Sequence, residues 1–193
     1  MPSLRNTETK ALIKKAFTQL LSEKGIEGLT VSDITRTAGI NRGTFYLHYL
    51  DKYDLLGKVE TDILSHLRGI FNKHGNTDDP MELIPYEAIL EALNYVLTEF
   101  ELIKALIGKG GDKKFIDTFK DLVEETIKDK IKKADFLSCD HEGLPKVYAH
   151  EILLSSIVSV ILLWIERDAK ESPEEIAKII NQTKQLSPIT LLK

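Results

Sequence analysis

One short segment of the 193-residue chain gathers side chains with complementary hydrogen-bonding and apolar chemistry: Arg42, Gly43, Thr44, Tyr46 and Leu47. A guanidinium can pair with guanine through two hydrogen bonds, and threonine or leucine can touch the methyl group of thymine. A glycine lets the backbone approach the bases because it has no side chain. In a helix that turns about 100° per residue, Gly43 and Leu47 lie away from Phe45, and Thr44 and Tyr46 flank them. The pattern predicts a helix that enters a DNA major groove; for Arg42 the alternative is a solvated surface arginine.

Polar residues shortly before that segment suggest a second kind of contact. Thr30 and Ser32 stand where a helix is expected to begin, and the free N–H groups of a helix start favour phosphate oxygens. Thr35 and Arg36 lie one turn later and are expected to reach the edge of the groove.

Capping signals locate the elements that must hold these residues. Thr30 and Asp33 fit a capping box, so a helix is expected to begin there. Gly39 suits the left-handed residue that ends a helix, and Asn41 can cap a new helix two residues later. The chain is therefore expected to form a tight helix-turn-helix.

A helix that precedes this motif is expected from about Thr7 to Lys24 and should stop at Gly25. Its buried stripe is expected to comprise Leu12, Ala16, Phe17, Leu20 and Leu21.

The rest of the sequence is also predicted to be helical. Apolar residues recur every three or four positions, and no run alternates as a strand would. Asp51 and Asp54 fit a capping box that opens a fourth helix. Further helices are expected near residues 83–100, 102–107, 113–133, 147–167 and 173–186, separated by turns at 74–80, 108–112 and 138–145. We therefore expect an all-α protein of about nine helices, with a three-helix DNA-binding domain over residues 1–50 and a second helical domain over residues 51–193.

Charge is distributed unevenly along the chain. The net charge is −4, but residues 1–58 carry +3 and the remainder carries −7. A polyanion is therefore expected to bind through the N-terminal part alone.

The helix near residues 147–167 is apolar on nearly every side after Ile152, so a monomer could not cover all its faces. The helix over 173–186 has an apolar stripe that includes Ile176 and Ile180. Two such helices from each subunit could form a four-helix interface, and two-fold dimers are the commonest assembly. We expect a homodimer; the alternative is a central core helix in a monomer.

Composition favours a cytoplasmic location. The single cysteine, Cys139, cannot form an intrachain disulfide, and the first residues lack the pattern of a signal peptide. The longest apolar stretch, Ile152 to Ile165, has 14 residues, against about 20 needed to cross a bilayer. We expect no membrane contact.

The stretch GLTVSDITRTAGINRGTFYLHYLDKYDLL, which begins at Gly28, resembles the DNA-binding signature of TetR-type regulators. The resemblance covers about residues 7–59, and its most specific part is the tract from Gly43 to Tyr46 with the residues that follow. A weaker similarity, carried by residues 110–112 and Phe115, is to a C-terminal domain frequent in Gram-positive members.

The resemblance implies a repressor that binds double-stranded operator DNA as a homodimer and is released by a small-molecule effector. We expect no cofactor. It also implies that Tyr46, His48 and Lys52 touch phosphates, which position a protein without specifying sequence. For Tyr46 the alternative to a phosphate contact is that the ring packs against the protein and its hydroxyl meets solvent. For His48 the alternative is an imidazole on the surface that binds nothing. A ligand pocket is implied among the middle helices, but aromatic residues at these spacings more often belong to an ordinary core: Tyr86, Tyr95, Phe100, Phe115 and Phe119.

Two other patterns give weak support to different chemistry. Residues 108–114 are rich in glycine and lysine, but no strand precedes them and no Lys-Ser/Thr pair follows, so we expect a turn rather than a phosphate loop. Asp140, His141 and Glu142 lie near Cys139, yet consecutive residues rarely converge on one metal ion.

An enzyme is the remote alternative, because His66, His74 and His150 have no spacing that defines a catalytic site. An activator or coactivator with the same DNA-binding fold is the nearer alternative, since the N-terminal signature does not separate activation from repression.

Overall fold

The computed structural model describes residues 4–74, 84–133 and 145–183, and within these ranges the chain is helical without strands. Its helices are α1 (Leu4–Gly28), α2 (Val31–Ala38), α3 (Arg42–Tyr46), α4 (Lys52–Lys73), α5 (Tyr86–Thr98), α6 (Phe100–Ile107), α7 (Lys113–Lys133), α8 (Lys146–Glu166) and α9 (Pro173–Thr183). The predicted all-α fold is confirmed. The predicted end of the last helix at residue 186, and most of the turns over 74–80 and 138–145, lie outside the described residues.

The described chain divides into two compact units, and the first contains the N-terminal helices. It comprises the residues up to Ser65 together with Glu99–Ile116. Within it α1 packs against α2 and α6, and α2 packs against α3. Its core contains the fully buried side chains of Ile13, Phe17, Leu29, Ile34, Phe45 and Leu55. A segment about fifty residues farther along the chain therefore helps to hold the helix-turn-helix.

The buried stripe of α1 differs from the prediction at one position. Ala16, Phe17, Leu20 and Leu21 are buried as expected, but Leu12 is 49 % exposed. The stripe is centred on the side of Ile13, and Leu12 lies about 100° from that centre. The expectation that Leu12 is a core residue was wrong for this reason.

α1 bends at Gly25 instead of ending there. Gly25 has φ 70° and ψ 168°, and a last turn of helix continues to Gly28. The Ile26 N–H donates to the carbonyl of Gly110 over 2.8 Å. A Cβ atom at Gly110 would lie 2.6 Å from the Cα of Gly25, so the two backbones meet where no side chain fits.

The second unit comprises His66–Thr98 and the residues from Asp117 onward. In it α9 packs against both α5 and α8. Trp164 of α8 is fully buried, and its indole N–H donates to the carbonyl of Glu171 over 2.8 Å. α9 begins with a reciprocal cap: the Ser172 N–H donates to the Glu175 carboxylate, and the Glu175 N–H donates to the Ser172 hydroxyl.

α8 is longer than the apolar stretch that was expected to be too short to span a membrane. The segment Val147–Glu166 has 20 residues and could cross a bilayer by length and composition alone. The argument from a length of 14 residues was therefore wrong. In this unit one side of α8 is buried, while Tyr148, Ile152 and Leu163 are exposed. A core helix of a soluble protein, which is mostly buried, passes the same test; here 28 % of the apolar window is buried.

Candidate DNA-binding surface

The start of α2 is fixed by the predicted capping box. The Asp33 N–H donates to the Thr30 hydroxyl oxygen over 3.1 Å, and the Asp33 carboxylate accepts from both the Thr30 N–H and the Thr30 hydroxyl. These hydrogen bonds satisfy backbone groups that a helix start leaves unpaired. Thr30 and Ser32 are both exposed there, so each can meet a ligand outside the protein.

The turn between α2 and α3 has the predicted geometry. Gly39 is left-handed, with φ 67° and ψ 30°, and its N–H donates to the carbonyls of Arg36 and Thr35. Asn41 caps α3, because its side-chain oxygen accepts from the Thr44 N–H over 2.8 Å and from the Thr44 hydroxyl over 3.0 Å. The half-buried Thr44 hydroxyl keeps its lone pairs available as acceptors.

α3 separates a buried side from an exposed side within five residues. Phe45 is fully buried, whereas Tyr46 is 49 % exposed and Leu47 is 82 % exposed. Arg42 and Gly43 are also exposed. Of the predicted set, the structure leaves these four residues exposed and Thr44 half-buried. The helix ends at Tyr46, with Leu47 as its C-cap.

Thr35 differs from the other predicted site residues because it is only 4 % exposed. Its hydroxyl donates to the Ser32 carbonyl over 3.2 Å. The structure places this side chain in the core, and not at the exposed edge where it was expected.

Arg36 is exposed but is bound to a neighbour. Its guanidinium donates to the Asp33 carboxylate over 2.6 Å, and the Lys24 ammonium lies 3.3 Å from the same oxygen. The hydrogen bond from the Thr30 hydroxyl, together with Lys24, lowers the pKa of Asp33 from its usual value. The pair leaves other guanidinium N–H groups of Arg36 free to donate outward.

Lys52 ties the start of α4 to the end of α1. Its ammonium donates to the carbonyls of Glu27 and Leu29, each over 3.1 Å. The adjacent Tyr53 hydroxyl donates to the Glu27 carboxylate over 3.0 Å, and this hydrogen bond raises the pKa of Tyr53. Two of the three donors of Lys52 are therefore engaged within the protein, which the sequence alone did not indicate.

The corner between α3 and α4 contains a residue that the sequence reasoning passed over. Leu50 is 79 % exposed, and its N–H donates to the Asp54 carboxylate over 2.8 Å. His48 is half-buried beside it, and its carbonyl accepts from Lys58 over 3.2 Å. An apolar residue directly before the cap of a helix was the signal available in the sequence.

Two family models match the chain. Residues 12–59 match the model described as bacterial regulatory proteins, tetR family, and residues 85–185 match the model described as transcriptional regulator C-terminal region. The chain belongs to the TetR family. It is a transcriptional regulator with an N-terminal DNA-binding domain.

Several other transcriptional regulators are similar to this chain. The Bacillus subtilis regulator YxbF is 25 % identical over 174 residues, which cover 88 % of this chain and 43 % of YxbF. The activator of the dhaKLM operon from Lactococcus lactis, DhaS, is 27 % identical over 138 residues, 69 % of this chain and 68 % of DhaS. The crystal structure of a TetR regulator from Streptococcus agalactiae is 23 % identical with a TM-score of 0.63, covering 94 % of this chain and 96 % of that one. The chain spans less than half the length of YxbF.

The second unit of this TetR-family chain contains a partly open cavity of about 30 Å³ lined by twelve apolar side chains. They include Leu67 and Phe71 of α4, Val96 of α5, Phe119 of α7, Ile157 of α8 and Ile180 of α9. Of the aromatic residues left open between pocket and core, Phe119 lines the cavity, Phe115 is buried and Tyr95 stacks on His66 at 3.9 Å. Across the described parts of this TetR-family chain, no group of three or more His, Cys, Asp or Glu could hold a metal ion; the segment from Cys139 to Glu142 lies outside them.

Proposed function

We propose that this protein is a cytoplasmic homodimeric repressor that binds an operator through α2 and α3 and leaves it when a small-molecule effector binds. The observation that carries the proposal is the bare side of α3, by which we mean the exposed residues Arg42, Gly43 and Tyr46 with the C-cap Leu47. Leu47 is 82 % exposed, whereas Phe45 is fully buried. An exposed leucine and an exposed glycine have no partner in a monomer's own core, and a major groove supplies one.

Base contacts are assigned to Arg42, Gly43, Thr44 and Leu47. Arg42 can donate to guanine, Gly43 permits close approach, and Thr44 and Leu47 can meet thymine methyl groups. Phosphate contacts are assigned to Thr30, Ser32, Tyr46, His48 and the remaining donor of Lys52. Arg36 can reach a phosphate with the N–H groups that Asp33 leaves free. Thr35, which is buried, can act only by holding α2 in place.

Dimerisation and ligand sensing are assigned to the domain over residues 51–193, with α8 and α9 as the interface. The exposed side of α8 has Tyr148, Ile152 and Leu163, and α9 adds the exposed Ile179. Pairing with a second copy would remove this apolar surface from water. A partner subunit accounts for the apolar length of α8 without a membrane.

The test is in vitro selection of bound DNA with the purified protein. A two-fold symmetric sequence with half-sites about one helical turn apart is expected, because a symmetric dimer reads a palindrome. Selection of no sequence above background, with protein that is folded by circular dichroism, would refute specific DNA binding. A metabolite screen for release of the selected DNA then tests effector control.

Activation is the second candidate function, and similarity to DhaS favours it. DhaS is named a transcriptional activator, and it is 27 % identical to this chain over 138 residues. Mapping the selected operator against its promoter separates the two roles. An operator that overlaps the polymerase site supports repression, and one that lies upstream of it supports activation.

A further inference from the structure

The cavity in the second unit is walled entirely by hydrocarbon. All twelve side chains that line it are apolar. A charged group that entered such a space would lose its hydration and gain no hydrogen bond, which is strongly unfavourable. The lining therefore selects against charge.

Several charged side chains on the lining helices are paired across helices. The pairs join α4 to α7, α4 to α5 and α7 to α8: Arg68 with Glu125 at 2.8 Å, Lys73 with Glu91 at 2.8 Å and Lys120 with Glu151 at 2.5 Å. The imidazole of His74 also meets the Glu91 carboxylate, at 2.6 Å. A charged ligand that took its counter-ion from one of these groups would have to break that pair.

The cavity is too small for an organic ligand, so binding must displace residues of its wall, which include part of α4. Its volume is about 30 Å³, whereas an apolar cavity that binds benzene measures roughly 150 Å³. An organic ligand must therefore push the walls apart. Leu67 and Phe71 form part of the wall, and they lie on the same helix that begins with Lys52 beside the DNA-binding turn.

We propose that the effector is an uncharged, hydrocarbon-rich molecule that binds between α4, α5, α7 and α8 and displaces Leu67 and Phe71. This inference rests on the proposed function, because a ligand that moves α4 regulates DNA binding only if α2 and α3 bind DNA. Binding itself does not require DNA and can be measured without it.

The experiment compares three probes of equal chain length that differ in the charge of the head group: 1-octanol, octanoate and octylammonium. The thermal unfolding of the whole protein is followed by calorimetry at fixed salt and pH, below the aggregation threshold of each probe. At ten times its Kd, 1-octanol is expected to raise Tm by about 3 to 6 °C, and the shift should saturate. The two charged probes at the same concentrations are expected to leave Tm unchanged.

Two neighbouring residues of α5 provide a matched pair of variants. Val96 lines the cavity, and Leu97 is exposed beside it. Val96→Phe should abolish the shift by filling the space, whereas Leu97→Phe should keep it. Phe119→Ala enlarges the cavity and should tighten 1-octanol binding several-fold, which keeps the test decisive if Val96→Phe does not fold.

Each other outcome overturns the inference. An equal shift with octanoate shows that charge is accepted, and the absence of any shift with 1-octanol removes the site. Unchanged or weaker 1-octanol binding in Phe119→Ala places the probe elsewhere. Failure of the proposed function is distinguishable, because a protein that selects no DNA sequence can still give the Tm shifts, and a protein that selects DNA can lack them.

Discussion

The exposure of Leu47 indicates a surface that binds a partner outside the protein. Burial of a leucine side chain stabilises a protein by about 1.5 to 3 kcal/mol, and at 82 % exposure Leu47 contributes little of that. Phe45, two residues earlier, is fully buried, so the local fold is anchored without Leu47. Its exposed neighbours Arg42 and Gly43 add a donor and room for close approach. These properties match a base edge better than they match water.

At the residue scale we predict that Leu47→Ala and Arg42→Ala each weaken operator binding by about 1 to 3 kcal/mol. Each change removes an exposed group, so the fold and Tm should stay unchanged. Gel-shift titration with the selected DNA measures the effect, and Leu97→Ala, an exposed leucine of the second unit, is the matched control. Affinity that is equal in all three variants would show that the bare side of α3 does not touch DNA.

At the scale of the element, the helix-turn-helix was predictable from the sequence because its caps depend on nearby residues. Contacts that depend on long-range packing were not predictable. The caps at Thr30, Gly39 and Asn41 depend on residues within four positions, and all three have the expected geometry. Thr35 could not be placed from the sequence, because its burial depends on how α2 packs. The internal hydrogen bonds of Lys52 reach back to Glu27 and Leu29. Spacing along the chain predicts the first kind of contact and does not encode the second.

The meeting of Gly25 and Gly110 leads to a second prediction. Gly110→Ala would place a Cβ atom 2.6 Å from the Cα of Gly25, so the backbone must shift, and we expect a loss of about 1 to 3 kcal/mol in the free energy of unfolding. Gly69→Ala is the control, because its Cβ would meet nothing within 4 Å and alanine favours a helix by about 1 kcal/mol. Urea unfolding should show opposite signs for the two variants. Equal effects would mean that the close approach is not rigid.

A half-buried carboxyl on α4 leads to a third prediction, which concerns pH. One oxygen of Glu60 is buried without a hydrogen-bond partner, and burial, with a smaller effect of Asp112, raises the pKa of Glu60 to about 7. The unfolded chain, with a lower pKa, binds fewer protons at this site. The contribution of Glu60 to the free energy of unfolding is therefore fully present below about pH 4.5 and is lost as the pH rises through about 7.

Glu60→Gln should therefore raise Tm at pH 8 and have little effect at pH 5. Differential scanning calorimetry at the two pH values measures this, with the exposed Glu101→Gln as the control in the same unit. A gain for Glu60→Gln that is equal at both pH values would contradict the titration of Glu60 and indicate a change in packing alone.

At the scale of the whole molecule, the charge distribution sets the conditions for DNA binding. A chain with a net charge of −4 and an excess of +3 in residues 1–58 should approach DNA only through its N-terminal part. We predict that operator affinity falls steeply with salt, with a log-log slope of about −0.9 for each phosphate contacted by the two subunits. A filter-binding titration between about 50 and 200 mM salt measures the slope. A flat titration would exclude phosphate contacts at the assigned residues.

The DNA-binding surface of one copy is small, so we expect two copies to bind one operator together. We expect α8 to form part of the interface between them. Leu163 is 55 % exposed on a helix whose other side is packed in the core. Leu163→Glu would bring two carboxylates, one from each subunit, into an apolar interface, where an unpaired charge is costly. We predict that this variant sediments as a monomer, keeps its helical circular dichroism and loses affinity for a two-site operator while single half-sites are bound as before. Leu97→Glu, on α5, should stay dimeric. If Leu163→Glu sedimented as the unchanged protein does, the exposed side of α8 would need another partner, and its length and apolar character would then make a bilayer the next to test.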